Sequence, residues 1–194
     1  MSWFKQLIAS LKRLPQILFH PDIYFANFRL PLFDGIVVIV ILFLGTLFQK
    51  LLWVESSTGG LSIGWALEQA AANSLLVWSI FFTVYYAVST LFKKNVNQID
   101  LVGWIGSAGL PLAVTTLISA LSWLIGRFFN LPLIMPIWLN IQNILAWIGL
   151  ALSWPGLFGY FLLYDGLKLK KLWAVLIPGC IFVIILLGWF LPSI

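Results

Sequence analysis

The stretch LFDGIVVIVILFLGTLFQKLLW, residues 32–53, decides the fold because it is long and apolar enough to cross a lipid bilayer. A membrane-spanning helix needs about 20 mostly apolar residues, and this stretch carries its charges, Asp34 and Lys50, only near its ends. Four more segments meet the same requirement, at residues 71–92, 101–125, 138–163 and 172–191. Short connections imply that consecutive helices run antiparallel. The sequence therefore predicts an all-α polytopic membrane bundle of five transmembrane helices.

The composition supports a membrane protein rather than a soluble one. Of the 194 residues, 62% are hydrophobic and 9% are charged, with a mean hydropathy of +1.04. Soluble domains carry about 25% charged residues, so a soluble fold of this chain would lack the polar side chains to cover its surface. Eleven tryptophans and sixteen phenylalanines suit the aromatic belts at bilayer interfaces. The lone cysteine, Cys180, excludes an intrachain disulfide.

The basic residues predict the orientation of the bundle. Nine of the eleven fall on one side of the predicted spans: Lys5, Lys12, Arg13, Arg29, Lys93, Lys94, Lys168, Lys170 and Lys171. Only Lys50 and Arg127 fall on the other side. The positive-inside rule then places the N-terminus in the cytoplasm and the C-terminus outside. We expect one domain over residues 1–194, with a cytoplasmic interfacial segment at 1–31 and the five-helix bundle at 32–191.

The first fifteen residues form a basic amphipathic helix that Pro15 is expected to end. Its apolar stripe consists of Trp3, Phe4, Leu7, Ile8, Leu11 and Leu14, and Lys5, Lys12 and Arg13 lie outside the stripe. Such a helix lies in the membrane interface, with its basic residues toward anionic headgroups. The alternative is a helix that packs on a soluble protein core, but the sequence contains no such core. Residues 61–74 are a second candidate interfacial element before the second span.

The stretch FHPDIYFANF, residues 19–28, contains the only histidine but does not predict catalysis. His20 and Asp22 are two residues apart and would not face each other on a helix. Pro21 disfavours helix at His20 and suits the first turn of a new helix. We interpret the stretch as a kinked entry into the bilayer, with Phe19, Tyr24, Phe25 and Phe28 at headgroup depth. Asp34 is expected to be solvated or to cap the first span.

The sequence predicts no catalytic residue, no metal site and no cofactor. One histidine, one cysteine and scattered carboxylates offer no cluster with metal-ligand spacing, and no nucleotide-binding motif is present. The net charge of +5 follows from the topology and does not indicate nucleic acid. Ionisable residues are almost absent from the span interiors, which argues against an ion-coupled transporter.

Small and polar residues stand out in the third and fourth predicted spans. They are Gly103, Gly106, Gly109, Thr115, Ser119, Asn140, Asn143, Gly156 and Gly159. Small residues let helices approach closely, and hydroxyl or amide groups can bond across the contact. Packing seams are the main interpretation, and a hydrophilic notch for a lipid headgroup is the alternative. Pro111, Pro155 and Pro178 are expected to kink their spans.

Three stretches resemble the Yip (Ypt/Rab-interacting protein) family of five-span membrane proteins in its short bacterial form. They are LPQILFHPDIYF at 14–25, LVGWIGSAGLPLAVTTLISAL at 101–121 and LLYDGLKLKKLWAVLIP at 162–178. The resemblance implies a five-helix membrane protein without enzymatic activity, with a bacterial inner membrane as its location. The family's DLYGP-type motif is replaced by DLVGW at 100–104, so the GTPase partners of eukaryotic members are not carried over.

Two functions stay open at this stage. The first is a non-catalytic adaptor or accessory subunit that binds another integral membrane protein, or a second copy, through its small-residue seams or basic loops. The second is a lipid-handling or permease-like protein with a polar cavity among Thr115, Ser119, Asn140 and Asn143. The basic loop at Lys168, Lys170 and Lys171 would contact a soluble partner or, as the favoured alternative, anionic lipid headgroups. Trp3, Phe4, Lys5, Lys12 and Arg13 are the other expected membrane-surface contacts.

Overall fold

A computed structural model describes residues 3–27, 32–58, 63–94, 96–128 and 135–190, and the regular structure within these ranges is helical. The α-helices are α1 (Trp3–Phe19), α2 (Pro21–Asn27), α3 (Leu32–Thr58), α4 (Ile63–Ala71), α5 (Val77–Leu91), α6 (Gln98–Ala108), α7 (Leu110–Phe128), α8 (Met135–Leu152), α9 (Leu157–Phe161) and α10 (Lys171–Phe190). Two π-helical segments, Ala72–Leu76 and Leu162–Gly166, follow α4 and α9.

Five helical stretches of the described chain are long and apolar enough to cross a membrane. They are Leu32–Leu51, Ile63–Leu91, Gln98–Ile125, Ile141–Gly166 and Lys171–Gly188, which we call spans 1 to 5. Span 1 is α3, span 2 combines α4 and α5, span 3 combines α6 and α7, span 4 combines α8 and α9, and span 5 is α10. The prediction of an all-helical chain with five such segments is confirmed.

Two predicted helix boundaries are wrong. The first helix does not end at Pro15 but continues to Phe19, where the fully buried Ile17 packs into the core of the bundle. Tertiary packing of this kind outweighs the hydrogen bond that Pro15 cannot donate. Of the predicted second interfacial element, residues 61 and 62 lie outside the described residues, and residues 63–74 are not separate from span 2, because Ile63–Leu91 is one continuous helix through a π-helical segment. No glycine or proline follows Gly64 to interrupt it.

Spans 3 and 4 are each broken near their middle, and the two breaks meet. Span 3 breaks at Gly109, between α6 and α7. This break lies two residues before Pro111, where a kink was predicted. Span 4 breaks between Leu152 and Leu157. The indole of Trp154, from the second break, is fully buried and lies so close to Gly109 that a Cβ there would approach its Cζ2 atom to 2.5 Å.

Hydrogen bonds from side chains satisfy the backbone groups that the breaks release. The Trp154 Nε1–H donates to the carbonyl of Ile105 at 2.5 Å, because the amide of Gly109 bonds to the carbonyl of Gly106 instead. The hydroxyl of Tyr85, from span 2, donates to the carbonyl of Trp154. The ring of Phe81 stacks on the indole with centroids 4.9 Å apart. Non-helical backbone at membrane depth requires this kind of protein cover, so Trp154 joins spans 2, 3 and 4.

Replacing Trp154 by phenylalanine is expected to lower the free energy of unfolding by about 1–3 kcal/mol, because the buried Ile105 carbonyl loses its donor. Thermal unfolding in mild detergent, followed by circular dichroism, measures the change. The matched control is Trp173→Phe, since Trp173 is 43% exposed at the start of α10. Equal melting temperatures for the two variants would contradict the role assigned to Trp154.

Candidate functional site

The side chain of Asp34 is fully buried although it lies in the first turn of α3. Arg13 donates to both carboxylate oxygens, from Nη2 to Oδ1 at 2.5 Å and from Nε to Oδ2 at 2.8 Å. The hydroxyl of Ser10 donates to Oδ1 at 2.5 Å, and that of Tyr24 to Oδ2 at 3.0 Å. The Tyr24 hydroxyl also shares a 3.1 Å hydrogen bond with the hydroxyl of Ser107. We call these five residues the Asp34 cluster.

Four helices contribute to the Asp34 cluster. Ser10 and Arg13 are three residues apart on α1 and therefore share a face. Tyr24 comes from α2, Asp34 from α3 and Ser107 from α6. The cluster thus joins the two helices that precede the first span to spans 1 and 3.

A close approach of backbones buries the Asp34 cluster. A Cβ at Gly35 would lie 2.5 Å from the carbonyl oxygen of Gly103, and a Cβ at Gly106 would lie 2.5 Å from the Cα of Gly35. Real side chains do not tolerate such contacts, so α3 and α6 meet at three glycines with no side chain between them. Gly103 and Gly106 lie at this close contact, and Asp34, next to Gly35, lies beside it.

The electrostatics of the Asp34 cluster favour one protonation state. Hydrogen bonding to the Asp34 carboxylate, together with its negative charge, raises the pKa of Arg13 against the opposing effect of burial. Burial and the same carboxylate raise the pKa of the Tyr24 hydroxyl above its usual value near 10. Arg13 is therefore a cation and Tyr24 a neutral hydrogen-bond donor across the physiological pH range.

The carboxylate of Asp34 has no capacity left for a ligand. It accepts four hydrogen bonds, and an ionised carboxylate offers about four lone-pair sites. A carboxylate saturated in this way has no free lone pair for a further ligand. Its hydrogen bonds connect α1 and α2 to α3.

The sequence interpretation missed this cluster. It expected Asp34 to be solvated or to cap its span, and the full burial of Asp34 shows that solvation was wrong. Arg13, expected to face headgroups, bonds to Asp34 and keeps 28% exposure of its side chain. The expected headgroup depth of Tyr24 stays a prediction. Tyr24 and Phe25 are both buried, whereas Phe19 is 70% exposed. A signal was present in the sequence. A carboxylate at the start of a membrane helix needs a partner, and Ser10 with Arg13 offers donors on one helix face.

Among the residues that the structure describes, the polar set of spans 3 and 4 does not share one hydrogen-bond network. Thr115 is buried, bonds to the carbonyl oxygens of Pro111 and Leu112 at 3.1 Å, and is covered by Gly149. Ser119 accepts a hydrogen bond from the Gln49 side chain at 3.2 Å. Asn143 is exposed, and the side chain of Asn140 lies outside the described residues. The described members of this set therefore have separate surroundings rather than a shared polar cavity.

The other predicted small residues pack around Trp154. Gly109 contacts its indole, and Gly159 lies against its carbonyl oxygen and the hydroxyl of Tyr85. Gly156 forms part of the break between α8 and α9, where an added Cβ would clash with the carbonyl of Ala151. These three glycines are internal packing positions.

The predicted membrane-surface residues are exposed, with the exception of Arg13. They are Trp3, Phe4, Lys5, Lys12, Lys168, Lys170 and Lys171. Arg13 retains 28% exposure of its side chain. The Lys94 Nζ donates to the backbone carbonyl of Lys168 at 2.8 Å, which brings the second and fourth loops together. We call this end of the bundle, which also carries α1, the basic end.

The remaining chemistry-bearing side chains form no second site among the residues that the structure describes. His20 is exposed between α1 and α2. Within the described ranges, no group of three histidine, cysteine, aspartate or glutamate side chains could hold a metal ion. No family model, curated protein or solved structure matches the chain.

Gly106→Ala is expected to lower the free energy of unfolding by about 1–3 kcal/mol, the usual cost of overpacking a tight contact. The cause is that the new Cβ meets backbone at Gly35, which cannot rotate away. Gly188→Ala is the control, since a Cβ there has no atom within 4 Å. Unfolding in mixed micelles with increasing dodecyl sulfate measures both, and a Gly106→Ala midpoint equal to that of the control would contradict this close contact.

Arg13→Met leaves the Asp34 carboxylate buried without its cation, and is expected to cost about 3 kcal/mol, the low end for a broken buried ion pair. Hydrogen exchange followed by mass spectrometry should show faster exchange over α1 and α2. Lys12→Met is the control, because Lys12 is an exposed neighbour on the same helix. Unchanged protection of α1 in Arg13→Met would show that the cluster does not hold the helix.

Proposed function

We propose that this chain is a non-catalytic multi-pass membrane protein that acts as an adaptor or accessory subunit of a membrane complex. Its proposed location is a bacterial inner membrane, with the basic end in the cytoplasm. The partner is another integral membrane protein, and a second copy of the chain is the other candidate.

The observation that carries this proposal is the saturation of Asp34. An ionisable residue among membrane helices ordinarily marks a relay or a ligand site. Here Arg13, Ser10 and Tyr24 occupy the carboxylate completely. The chain uses its buried charge to hold a surface in place, which suits a protein that binds partners better than one that performs chemistry.

The faces of α1 support a position between bundle, lipid and water. Ser10 and Ile17 are buried on the side of the bundle, whereas Phe4 and Leu11 are exposed apolar residues on another side. Lys5 and Lys12 are exposed on a third side. A helix with these three faces suits the membrane interface, so the sequence expectation for α1 becomes part of the proposal.

Span 5 offers the best surface for a membrane partner. Only 11% of it is buried, against 28–39% for the other four spans. Association of membrane helices depends on van der Waals packing, so a span with few neighbours has packing surface to spare. Gly103 and Gly106 already pack against Gly35 within the bundle. We therefore place the partner contact on the exposed face of α10, around Leu176, Ile184 and Leu187.

Ile184→Trp is expected to release the partner, because it adds bulk to the α10 face while staying compatible with lipid. The protein is tagged, extracted from native membranes in mild detergent and analysed by quantitative mass spectrometry of co-purifying proteins. Ile80→Trp on α5 is the control, since Ile80 is also an exposed apolar position. A wild-type protein that purifies alone, as a monomer, would contradict the adaptor proposal.

Lipid handling is the second candidate function, and one observation favours it. An apolar groove of about 300 Å³ lies between α10 and the broken span 4. Its lining does not include Thr115, Ser119 or Asn143, so this candidate now depends on the groove rather than on the polar set.

A further inference from the structure

The groove lies where the interrupted span 4 meets α10, which continues as one helix through Pro178 although a kink was predicted there. On one side it is lined by Pro155, Gly156 and Tyr160, at and after the break in span 4. On the other side it is lined by Ala174, Pro178 and Phe182 of α10. The prolines and glycine leave the space that larger side chains would fill, and the lining is almost wholly apolar.

The length and apolar lining of the groove indicate its occupant. The α10 wall extends over nine residues, from Ala174 to Phe182, or about 12 Å at the rise of an α-helix. The groove is open to the surroundings of the bundle and holds about 300 Å³. Its wall is apolar along that length, which suits an extended hydrocarbon chain.

A basic cluster stands at one end of the groove. Lys171 opens α10 and lies three and seven residues before Ala174 and Pro178, so it shares their helix face. Lys170 precedes it, and both lysines are exposed. Lys171 therefore carries positive charge on the groove side of α10, with Lys170 next to it in sequence. Lys168 faces the charge of Asp165, which also interacts with Asp22.

Aromatic side chains continue the opposite wall toward the same end. Tyr160 lines the groove, and Tyr164, one turn further on, stacks on it with centroids 5.5 Å apart and planes 10° from parallel. Tyrosine rings are typical of the bilayer interface. The groove therefore passes from apolar depth, through an aromatic zone, to two lysines.

We propose that this groove binds one acyl chain of an anionic phospholipid, whose phosphate lies against Lys170 and Lys171. This proposal specifies the lipid class for lipid handling, the second candidate function, and it rests on that function. It is independent of the adaptor proposal. Apolar contacts bind the acyl chain. The lysines discriminate anionic from zwitterionic headgroups, because each basic residue near the membrane surface attracts negative charge.

The test is native mass spectrometry of the full-length, delipidated protein in detergent. Phosphatidylglycerol and phosphatidylcholine with identical acyl chains are titrated separately, and the first binding constant is measured. We expect the wild-type protein to bind phosphatidylglycerol about tenfold or more tightly than phosphatidylcholine, from the contribution of two lysines.

Gly179→Phe is the variant that blocks the groove. Gly179 lines the groove, and a Cβ there has no atom within 4 Å, so the chain accommodates the ring, which adds bulk at the groove lining. We expect binding of both lipids to weaken by about tenfold or more, since several methylene contacts are lost. Gly188→Phe is the matched control, on the same helix, with the same open space and outside the groove lining.

The double variant Lys170→Gln/Lys171→Gln tests the contact with the lipid headgroup independently of the contact with the acyl chain. We expect this variant to bind phosphatidylcholine like the wild-type protein and to lose its preference for phosphatidylglycerol. If Gly179→Phe binds both lipids with wild-type affinity, or if the lysine variant keeps its preference for phosphatidylglycerol, the assigned site is wrong. Lipid handling would then depend on a different site. A wild-type protein that binds neither lipid would overturn lipid handling as well.

Discussion

The cost of burying a charge governs the basic end of this molecule. An isolated carboxylate in a low-dielectric interior is unstable by many kcal/mol, and it persists only when a cation and hydrogen-bond donors fully compensate it. Asp34 meets that condition with Arg13, Ser10 and Tyr24. Together with the core packing of Ile17 and Phe25, this interaction helps to fix the positions of α1 and α2, because both helices supply donors to the carboxylate.

The same rule governs the broken spans. An interrupted helix in an apolar surrounding exposes carbonyl groups that no water can reach. The indole of Trp154 serves the carbonyl of Ile105, and the hydroxyl of Tyr85 serves the carbonyl of Trp154. Glycines at 35, 103, 106 and 109 give these polar groups the close approaches they need. These hydrogen bonds lie in the interior of the bundle, whereas many large apolar side chains of the spans are exposed.

This distribution of polar groups bears directly on function. A protein that moves ions keeps charged side chains within reach of a pathway, whereas the buried carboxylate of this chain is enclosed by its own donors. The surfaces that remain to be used are the sparsely packed α10, the groove beside it and the lysines at its start. All three lie on one side of the molecule, so a membrane partner and a bound lipid would be neighbours there.

Length and hydropathy are local properties, and for that reason the sequence by itself determined the five spans, the helical class and the accumulation of basic residues at one end. It also drew attention to Gly103 and Gly106, since closely spaced glycines are visible without a structure. Pairing is not local. Ser10 and Asp34 are 24 residues apart, and Tyr24 and Ser107 are 83 apart, so only the packing of α1, α2, α3 and α6 decided that they meet. Pro15 stays within a helix for the same reason, because tertiary contacts outweigh a local preference once the chain is folded.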